Sequence, residues 1–260
     1  MTTSTTPIDL SIILPAYMEA EGIAGSLEQL AAFLATRNYG QVEVLVVVAD
    51  STDGTADIAQ SKAGLFRHFR VVQAGPRVGK GRDVRLGIFE ARGHYRLFMD
   101  ADLATPLTHL DDVKRLMDQG AKVGIAVRDL VKIHKQLKRK IMTEAGNVLA
   151  QVVLLPGIKD TQCGFKVFEA EAAERIFSYM TILGWGFDLE ILALARKFGY
   201  KIETFEAPDW KDPKAAEAGL VGDSAAGAAL QVLRDLLRVR WNLIRGLYRK
   251  PSYVHHALAK

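Results

Sequence analysis

Apolar residues in the first half of the chain form short continuous runs that alternate with longer segments of helical spacing. The run at residues 42–49 is almost entirely β-branched, as is typical of a strand covered on both faces. Other runs predict strands at residues 8–14, which Pro15 should end, and at residues 69–73, 95–99 and 121–127. Helical spacing occurs between them, at residues 22–36, 56–63, 81–91 and 107–118. Alternating strands and helices form βαβ units, so the pattern predicts an α/β fold with a mostly parallel central sheet flanked by helices.

The second half of the chain is less regular. Strands are predicted at residues 164–168 and 201–206, and helices at residues 133–155, 170–179, 188–198 and 225–248. The apolar run at residues 149–155 is far shorter than a bilayer requires, so we expect no membrane span.

Composition limits the functions that the chain can have. It has 260 residues, 49% of them apolar and 25% charged, which are ordinary proportions for a globular protein. The formal net charge of only +4 does not indicate nucleic acid binding. Cys163 is the single cysteine, so no intramolecular disulfide can form, which fits a reducing cytoplasm. Residues 1–7 lack the basic and apolar regions of a signal peptide and predict a disordered tail.

Two carboxylates follow the predicted strand at residues 95–99. Asp100 and Asp102 are separated only by Ala101, at the kind of strand end where α/β sheets bind ligands. Mg²⁺ and Mn²⁺ favour carboxylates together with substrate phosphates, and a cation on a diphosphate stabilises it as a leaving group. Taken alone, the motif fits a metal–diphosphate site and a solvated pair that caps a turn equally well.

Polar segments also follow the first two strands. Pro15, Tyr17 and Glu19 place an aromatic ring and an acid where they can stack on a base and contact ribose. Asp50 can accept an N–H of a base, while the Ser and Thr residues of the segment 51–55 can cap the next helix. The structural alternatives are a strand stopped by proline and a capping loop.

A basic glycine-rich loop at residues 75–82 precedes the third predicted helix. It includes Lys80 and can hold a phosphate or a base, although it lacks the P-loop pattern. Each of these signals is weak by itself. Together, four of them in order around predicted strand ends indicate a nucleotide-sugar site.

These segments resemble glycosyltransferase family 2 enzymes with a GT-A, or nucleotide-diphospho-sugar transferase, fold. The most specific match is Asp-Thr-Gln-Cys-Gly-Phe-Lys-Val-Phe at residues 160–168, followed by Gly-Trp-Gly-Phe-Asp-Leu-Glu at residues 184–190. The resemblance covers about residues 8–250 and is greatest to the dolichyl-phosphate β-glucosyltransferase-like branch, near the dolichyl-phosphate mannose synthases. It implies a catalytic domain over residues 8–210 and a basic amphipathic helix with a tail over residues 211–260.

The resemblance also implies a role for individual positions. Those that match nucleotide-sugar-binding residues are Pro15, Tyr17, Glu19, Asp50, Lys80, Asp100, Ala101, Gln162, Trp185 and Lys214. Those that match metal ligands, for Mg²⁺ or Mn²⁺, are Asp100 and Asp102. Those that match catalytic residues are Asp102, Arg128, Arg139, Asp188 and Glu190. Arg128 would bind phosphate, and Arg139, or its neighbour Lys140, would be a second phosphate ligand. Ala104 departs from the Gln that mannose synthases often carry, and Val127 departs from the family's usual Ser before the Arg, which bears on the choice of sugar and acceptor.

The implied reaction is inverting transfer of a hexose, glucose from UDP-glucose, to a polyprenyl or dolichyl phosphate. A phosphate acceptor is already ionised near neutral pH and needs positioning by basic side chains. A hydroxyl acceptor needs a base, for which Asp188 and Glu190 are the candidates. The alternatives are a GDP-mannose donor, a soluble hydroxyl acceptor, or a nucleotide-sugar-binding module without turnover.

The predicted C-terminal helix mixes apolar and basic residues around Trp241. This pattern is typical of a helix that lies in a membrane interface, and it predicts peripheral contact with the cytoplasmic membrane face. A helix packed on the domain, or on a second copy in a homodimer, explains the pattern equally well.

Overall fold

The structure, a computed structural model, describes residues 7–129, 151–211 and 223–253. Its strands are β1 (Leu10–Ala16), β2 (Val42–Ala49), β3 (His68–Gly75), β4 (Tyr95–Met99), β5 (Val123–Arg128), β6 (Phe165–Glu169) and β7 (Ile202–Ala207). Its α-helices include α1 (Ile23–Ala35), α2 (Thr55–Ser61), α3 (Lys80–Glu90), α4 (Leu110–Asp118), α5 (Ala170–Tyr179), α6 (Phe187–Lys197) and α7 (Asp223–Ile244). Most of the helix predicted at residues 133–155 lies outside the described residues.

The strands form a sheet in the order β3-β2-β1-β4-β6-β5-β7. Neighbours are parallel except at β6, which runs antiparallel to both β4 and β5. This confirms the α/β class and the mostly parallel sheet. Because β6 runs against its neighbours, it begins where β4 ends, and Phe165 pairs with Met99. The segment before β6 therefore lies at the carboxyl ends of the parallel strands, where ligands bind in such sheets.

Apolar side chains cover both faces of the sheet. Ile13 and Val47 belong to a core cluster that includes side chains of α3, α5, α6 and α7, whereas Ile12 and Val46 belong to one that includes side chains of α1 and α4. All four are fully buried, as the β-branched pattern of β2 predicts. Burying one such side chain contributes roughly 1.5–3 kcal/mol to stability. The strand ends are thus held on a rigid, two-sided core.

The prediction that Pro15 ends the first strand was wrong, because β1 continues through it to Ala16. Pro15 pairs with Val47 of β2, whereas pairing with β4 stops at Ile13. Beyond Ile13, one side of β1 has no ladder, and a strand of this kind can accommodate a residue without an N–H.

The helix α7 packs against α6. Leu236 and Val239 are buried in the core, whereas Leu237, Trp241 and Ile244 are 54–66% exposed. Within the described ranges, no helix is both long and apolar enough to cross a membrane.

Candidate active site

The loop after β4 carries Asp100 and Asp102, which form the acidic pair. The N–H of Asp100 donates to the Gly164 carbonyl over 3.2 Å, and the Asp102 carboxylate accepts the N–H of Ala104 over 3.1 Å. Leu103 has a φ of 54°, a left-handed conformation that is uncommon outside glycine. The loop is a tight turn that holds both carboxylates, partly exposed, at the carboxyl edge of the sheet.

Gly164 lies directly against Asp100, because the antiparallel register places the residue before β6 beside the residue after β4. A Cβ atom added at Gly164 would lie 2.5 Å from the Asp100 Cγ and 2.7 Å from its Oδ1. Carbon atoms that are not bonded to each other pack at about 3.5–4.0 Å, so any side chain at this position would displace the carboxylate.

The loops after β1 and β2 are tied together by hydrogen bonds. The N–H groups of residues 18–20 donate in turn to Ser51, Thr55 and Asp53, over 3.1, 3.0 and 3.0 Å. The hydroxyl of Thr55 donates to Asp53 over 2.6 Å, which holds the pKa of Asp53 below its usual range. The predicted capping of α2 by Ser and Thr was wrong, because its N-cap residue is Gly54, which has no side chain. The Ser51 and Thr55 hydroxyls bind the first loop and Asp53 instead.

The basic glycine-rich loop meets the first two loops at the same edge. The Arg77 guanidinium carbon lies 4.0 Å from the centroid of the Tyr17 ring. The N–H of Asp50 donates to the Gly75 carbonyl over 2.9 Å, and Asp50 itself is exposed. An aromatic ring, a guanidinium and a carboxylate lie together here, and these groups are suited to contact a nucleoside.

Lys80 begins α3 and forms an ion pair with Asp100. Its Nζ atom lies 5.6 Å from the centroid of the Trp185 ring, and the Trp185 side chain is 68% exposed. Burial lowers the pKa of Lys80, but the charges of Asp100 and Asp188 outweigh burial and leave the pKa above its usual range. The structure therefore brings Lys80, Asp100 and Trp185 together, although they are far apart in the sequence.

Arg128, at the end of β5, is fixed by Asp160. Its Nε and Nη2 atoms donate to the two Asp160 carboxylate oxygens over 2.7 and 3.0 Å, and its backbone N–H donates over 3.1 Å. Asp160 also accepts the N–H of Gln162 over 3.1 Å, and Trp210 stacks on the Arg128 guanidinium at 4.9 Å. Burial raises the pKa of Asp160, but Arg128 outweighs burial and holds that pKa below its usual range. The guanidinium is thus locked in one orientation beside Gln162.

Asp188, in the first turn of α6, points into the core. It forms an ion pair with Lys166 of β6, a fully buried lysine that also donates to the Cys163 carbonyl over 2.7 Å. The Lys166 ammonium lies 5.4 Å from the centroid of the Phe98 ring. Burial raises the pKa of Asp188 above its usual range, although the charges of Lys166 and Lys80 oppose that rise.

Glu190 is fully buried one half-turn further along α6. It accepts the Thr181 N–H over 2.8 Å, the Thr181 hydroxyl over 2.7 Å, the Ile182 N–H over 2.7 Å and the Tyr248 hydroxyl over 2.7 Å. These bonds fasten the segment after α7 to the loop between α5 and α6.

Two residues implied by the resemblance, Arg139 and Lys214, lie outside the described residues. Three residues that organise the site were included in the segments above but given no role of their own, namely Asp53, Asp160 and Lys166. The sequence does indicate a buried partner for Lys166, because a lysine inside the apolar run Phe-Lys-Val-Phe is buried only when it is paired.

The acidic pair can be tested for its fit to a metal ion. Among the described residues, no cluster of three or more His, Cys, Asp and Glu is arranged to hold one. The protein thus offers Asp100 and Asp102 at this edge, rather than a complete cage. Mg²⁺ and Mn²⁺ accept one or two carboxylates completed by phosphate oxygens and water, so the donor set fits them.

The fold is that of the nucleotide-sugar transferases with GT-A architecture. A solved structure of this type is glucosyl-3-phosphoglycerate synthase from Mycobacterium tuberculosis in complex with Mn²⁺, UDP and phosphoglyceric acid. It matches with a TM-score of 0.63 and 19% identity, over 90% of this chain and 78% of that chain. The same enzyme has also been crystallised with Mg²⁺ and UDP.

The family model described as glycosyl transferase family 2 matches residues 11–177. The chain is 30% identical over 265 residues to the dolichyl-phosphate β-glucosyltransferase of Dictyostelium discoideum, covering 95% of this chain and 79% of that protein. It is 31% identical over 267 residues to the dolichyl-phosphate β-glucosyltransferase of Saccharomyces cerevisiae, covering 93% and 77%. The chain belongs to glycosyl transferase family 2, and it is a glycosyltransferase.

Proposed function

We propose that the chain transfers glucose from UDP-glucose to a polyprenyl or dolichyl phosphate, with inversion at the anomeric carbon. The observation that supports a phosphate acceptor is that both candidate bases already have bonding partners. Asp188 is paired with Lys166 inside the core, and Glu190 is fully buried and accepts four hydrogen bonds. Both carboxylates therefore already have bonding partners, which favours an acceptor that needs no base. A phosphate monoester needs no such base, because its second pKa is about 6.

The names of the relatives support glucose and a dolichyl-phosphate acceptor. On the donor side, Tyr17 and Asp50 would contact the nucleoside, and Lys80 would lie at the diphosphate. Asp100 and Asp102 would hold Mg²⁺ or Mn²⁺. When bound, this ion would neutralise charge on the departing UDP.

The reaction needs no proton transfer in this scheme. An acceptor phosphate oxygen forms a bond to the anomeric carbon while the bond from that carbon to the UDP β-phosphate oxygen breaks. Arg128 would orient the acceptor phosphate with its charge, since Asp160 and Trp210 already fix the guanidinium. Arg139 is retained as a second proposed phosphate ligand.

The acceptor class can be tested with radiolabelled UDP-glucose and three acceptors. We expect label in a lipid product with dolichyl phosphate and none with dolichol, which presents only a hydroxyl, or with 3-phosphoglycerate, whose phosphate carries no lipid. Product with dolichol, or 3-phosphoglycerate glucosylated at its hydroxyl, would favour the hydroxyl acceptor. A parallel arm with GDP-mannose tests the alternative donor.

Asp188→Asn separates the two acceptor classes further. If Asp188 is a base, the rate of glucose transfer should fall by the 10²–10⁴-fold typical of a missing proton acceptor. With a phosphate acceptor, we expect the rate to fall by no more than about tenfold, because only the partner of Lys166 has changed. Asp102→Ala should abolish the effect of Mn²⁺ on UDP binding, measured by calorimetry.

We also propose peripheral contact with the cytoplasmic membrane face through α7. Apolar side chains of this helix remain exposed, namely Leu233, Leu237, Trp241 and Ile244. Exposed arginines flank them, namely Arg234, Arg238, Arg240 and Arg245. An apolar stripe between cations complements an anionic bilayer, and each cation contributes roughly 1 kcal/mol near such a surface.

Because Leu236 and Val239 are core residues, removing α7 would damage the fold, and point substitutions give a cleaner test. We expect the whole chain to float with vesicles containing phosphatidylserine, and Leu237→Glu with Trp241→Glu to reduce flotation severalfold. Leu65→Glu is the matched control, because Leu65 is 46% exposed elsewhere. Unchanged flotation of the α7 variant would refute the membrane contact, and sedimentation would then show whether the stripe joins two copies.

A further inference from the structure

A row of alternating charges runs from the core of the sheet to the acidic pair. Lys166 pairs with Asp188, and Lys80 pairs with Asp100. The two pairs adjoin, since a Cβ atom added at Gly81, next to Lys80, would lie 2.7 Å from the Cβ of Phe187, next to Asp188. The order is therefore cation, anion, cation, anion, from the fully buried Lys166 to the partly exposed Asp100.

The position of Lys166 is not explained by stability alone. It lies on the antiparallel strand, opposite Phe98 of β4 and Ile125 of β5. A lysine brought out of water there is costly, and apolar replacements of a buried ion pair are often neutral or stabilising. A requirement for charge at this place would account for the pair.

That requirement comes from the start of α3. The N-terminal turns of α3 and α6 are in close contact, because a Cβ atom added at Gly81 would lie 2.7 Å from the Phe187 Cβ. Lys80 begins α3, where the positive end of the helix dipole disfavours a cation. Asp188, in the first turn of α6, offsets this effect, but only if it stays in place and carries its charge.

We propose that Lys166 is a positioning residue for the donor: it fixes Asp188, and through Asp188 it fixes the Lys80 ammonium beside Asp100. Lys166 itself touches no substrate. The proposal rests on the proposed function only in that UDP-glucose is the donor, since it concerns donor binding and not the acceptor.

A double-mutant cycle tests whether Lys166 acts through Lys80. The probe is UDP-glucose with Mn²⁺ in calorimetry, so the readout does not depend on any acceptor. Lys166→Met should weaken donor binding about tenfold, the effect of one lost charge-assisted contact. In the Lys80→Met background, the same change should weaken binding less than twofold, because the group through which Lys166 acts is already gone. Additive losses, or full donor affinity in Lys166→Met, would overturn the proposal.

A second variant separates positioning from folding. Lys166→Met leaves the Asp188 charge buried and unpaired, which lowers the melting temperature. Lys166→Met with Asp188→Asn removes both charges and should recover the melting temperature, but the weak donor binding should remain because Lys80 still lacks Asp188. Recovery of donor affinity together with stability would show that Lys166 only balances a buried charge.

Lys122→Met is the matched control. Lys122 pairs with Glu169 at the other end of β6 and is half exposed, so its loss should leave donor affinity unchanged. In kinetic assays of Lys166→Met, the donor KM should rise while the acceptor KM stays within twofold. If no acceptor is glucosylated by the unmodified chain, the proposed function fails, yet the calorimetric cycle still decides the role of Lys166.

Discussion

Gly164→Ala adds a single methyl group beneath the acidic pair. The added Cβ would lie 2.5 Å from the Asp100 Cγ, whereas carbon atoms that are not bonded pack at about 3.5 Å or more. The carboxylate must therefore shift by about 1 Å, because the methyl group is held by backbone on both sides. Such a shift would also disturb the ion pair with Lys80.

A misplacement of about 1 Å can cost about 10²-fold in rate, so we expect kcat/KM for UDP-glucose to fall by that order. The assay is transfer of radiolabelled glucose, with UDP binding measured in parallel. Gly184→Ala is the matched control, since a Cβ atom at that position meets nothing within 4 Å, and its kcat/KM should stay within threefold of the unmodified chain. A folded Gly164→Ala protein with more than a third of the original kcat/KM would refute the reasoning.

Three further predictions follow from the same structure. Tyr248→Phe removes one hydrogen bond to the buried Glu190. The free energy of unfolding, measured in urea, should fall by about 1.5–3 kcal/mol, and a fall below about 0.5 kcal/mol would contradict that contribution. Burial lowers the pKa of His109, but its bonds to Asp209 and Asp112 outweigh burial and raise the pKa above its usual value of 6.5. This stabilisation is fully present below pH 6.5 and is lost as pH rises through the raised pKa, so the difference in melting temperature between the unmodified chain and His109→Gln should shrink above neutral pH. Chelation with EDTA should stop glucose transfer, and added Mn²⁺ or Mg²⁺ should restore it; activity that survives chelation would exclude the metal.

Much of the fold could be predicted because its signals are local. The run at residues 42–49 matches β2 to the residue, and the run at residues 95–99 matches β4. A strand buried on both faces must be apolar along its length, so its composition reports its environment directly. The loops after β1, β2 and β4 could be assigned to a site because parallel strands end at one edge.

The orientation of β6 could not be predicted in this way. Its sequence, Phe-Lys-Val-Phe-Glu, reads as a strand in either direction, and its partners lie about 70 and 40 residues earlier in the chain. The antiparallel insertion places Gly164 under Asp100 and Asp160 beside Arg128. These contacts are why Asp160 was not assigned from sequence.

Hydrophobic period and strand-end chemistry are local properties, so the amino-acid sequence was enough to predict the class of fold, the edge of the sheet with the candidate site, and residue types suited to a nucleotide sugar. The partners of each charged side chain follow only from the folded chain. Asp188 and Glu190 are both carboxylates, two residues apart on one helix, yet one faces a buried lysine and the other two hydroxyls and two backbone N–H groups. The role of a carboxylate depends on the groups within hydrogen-bonding distance, and distant parts of the chain supply those groups.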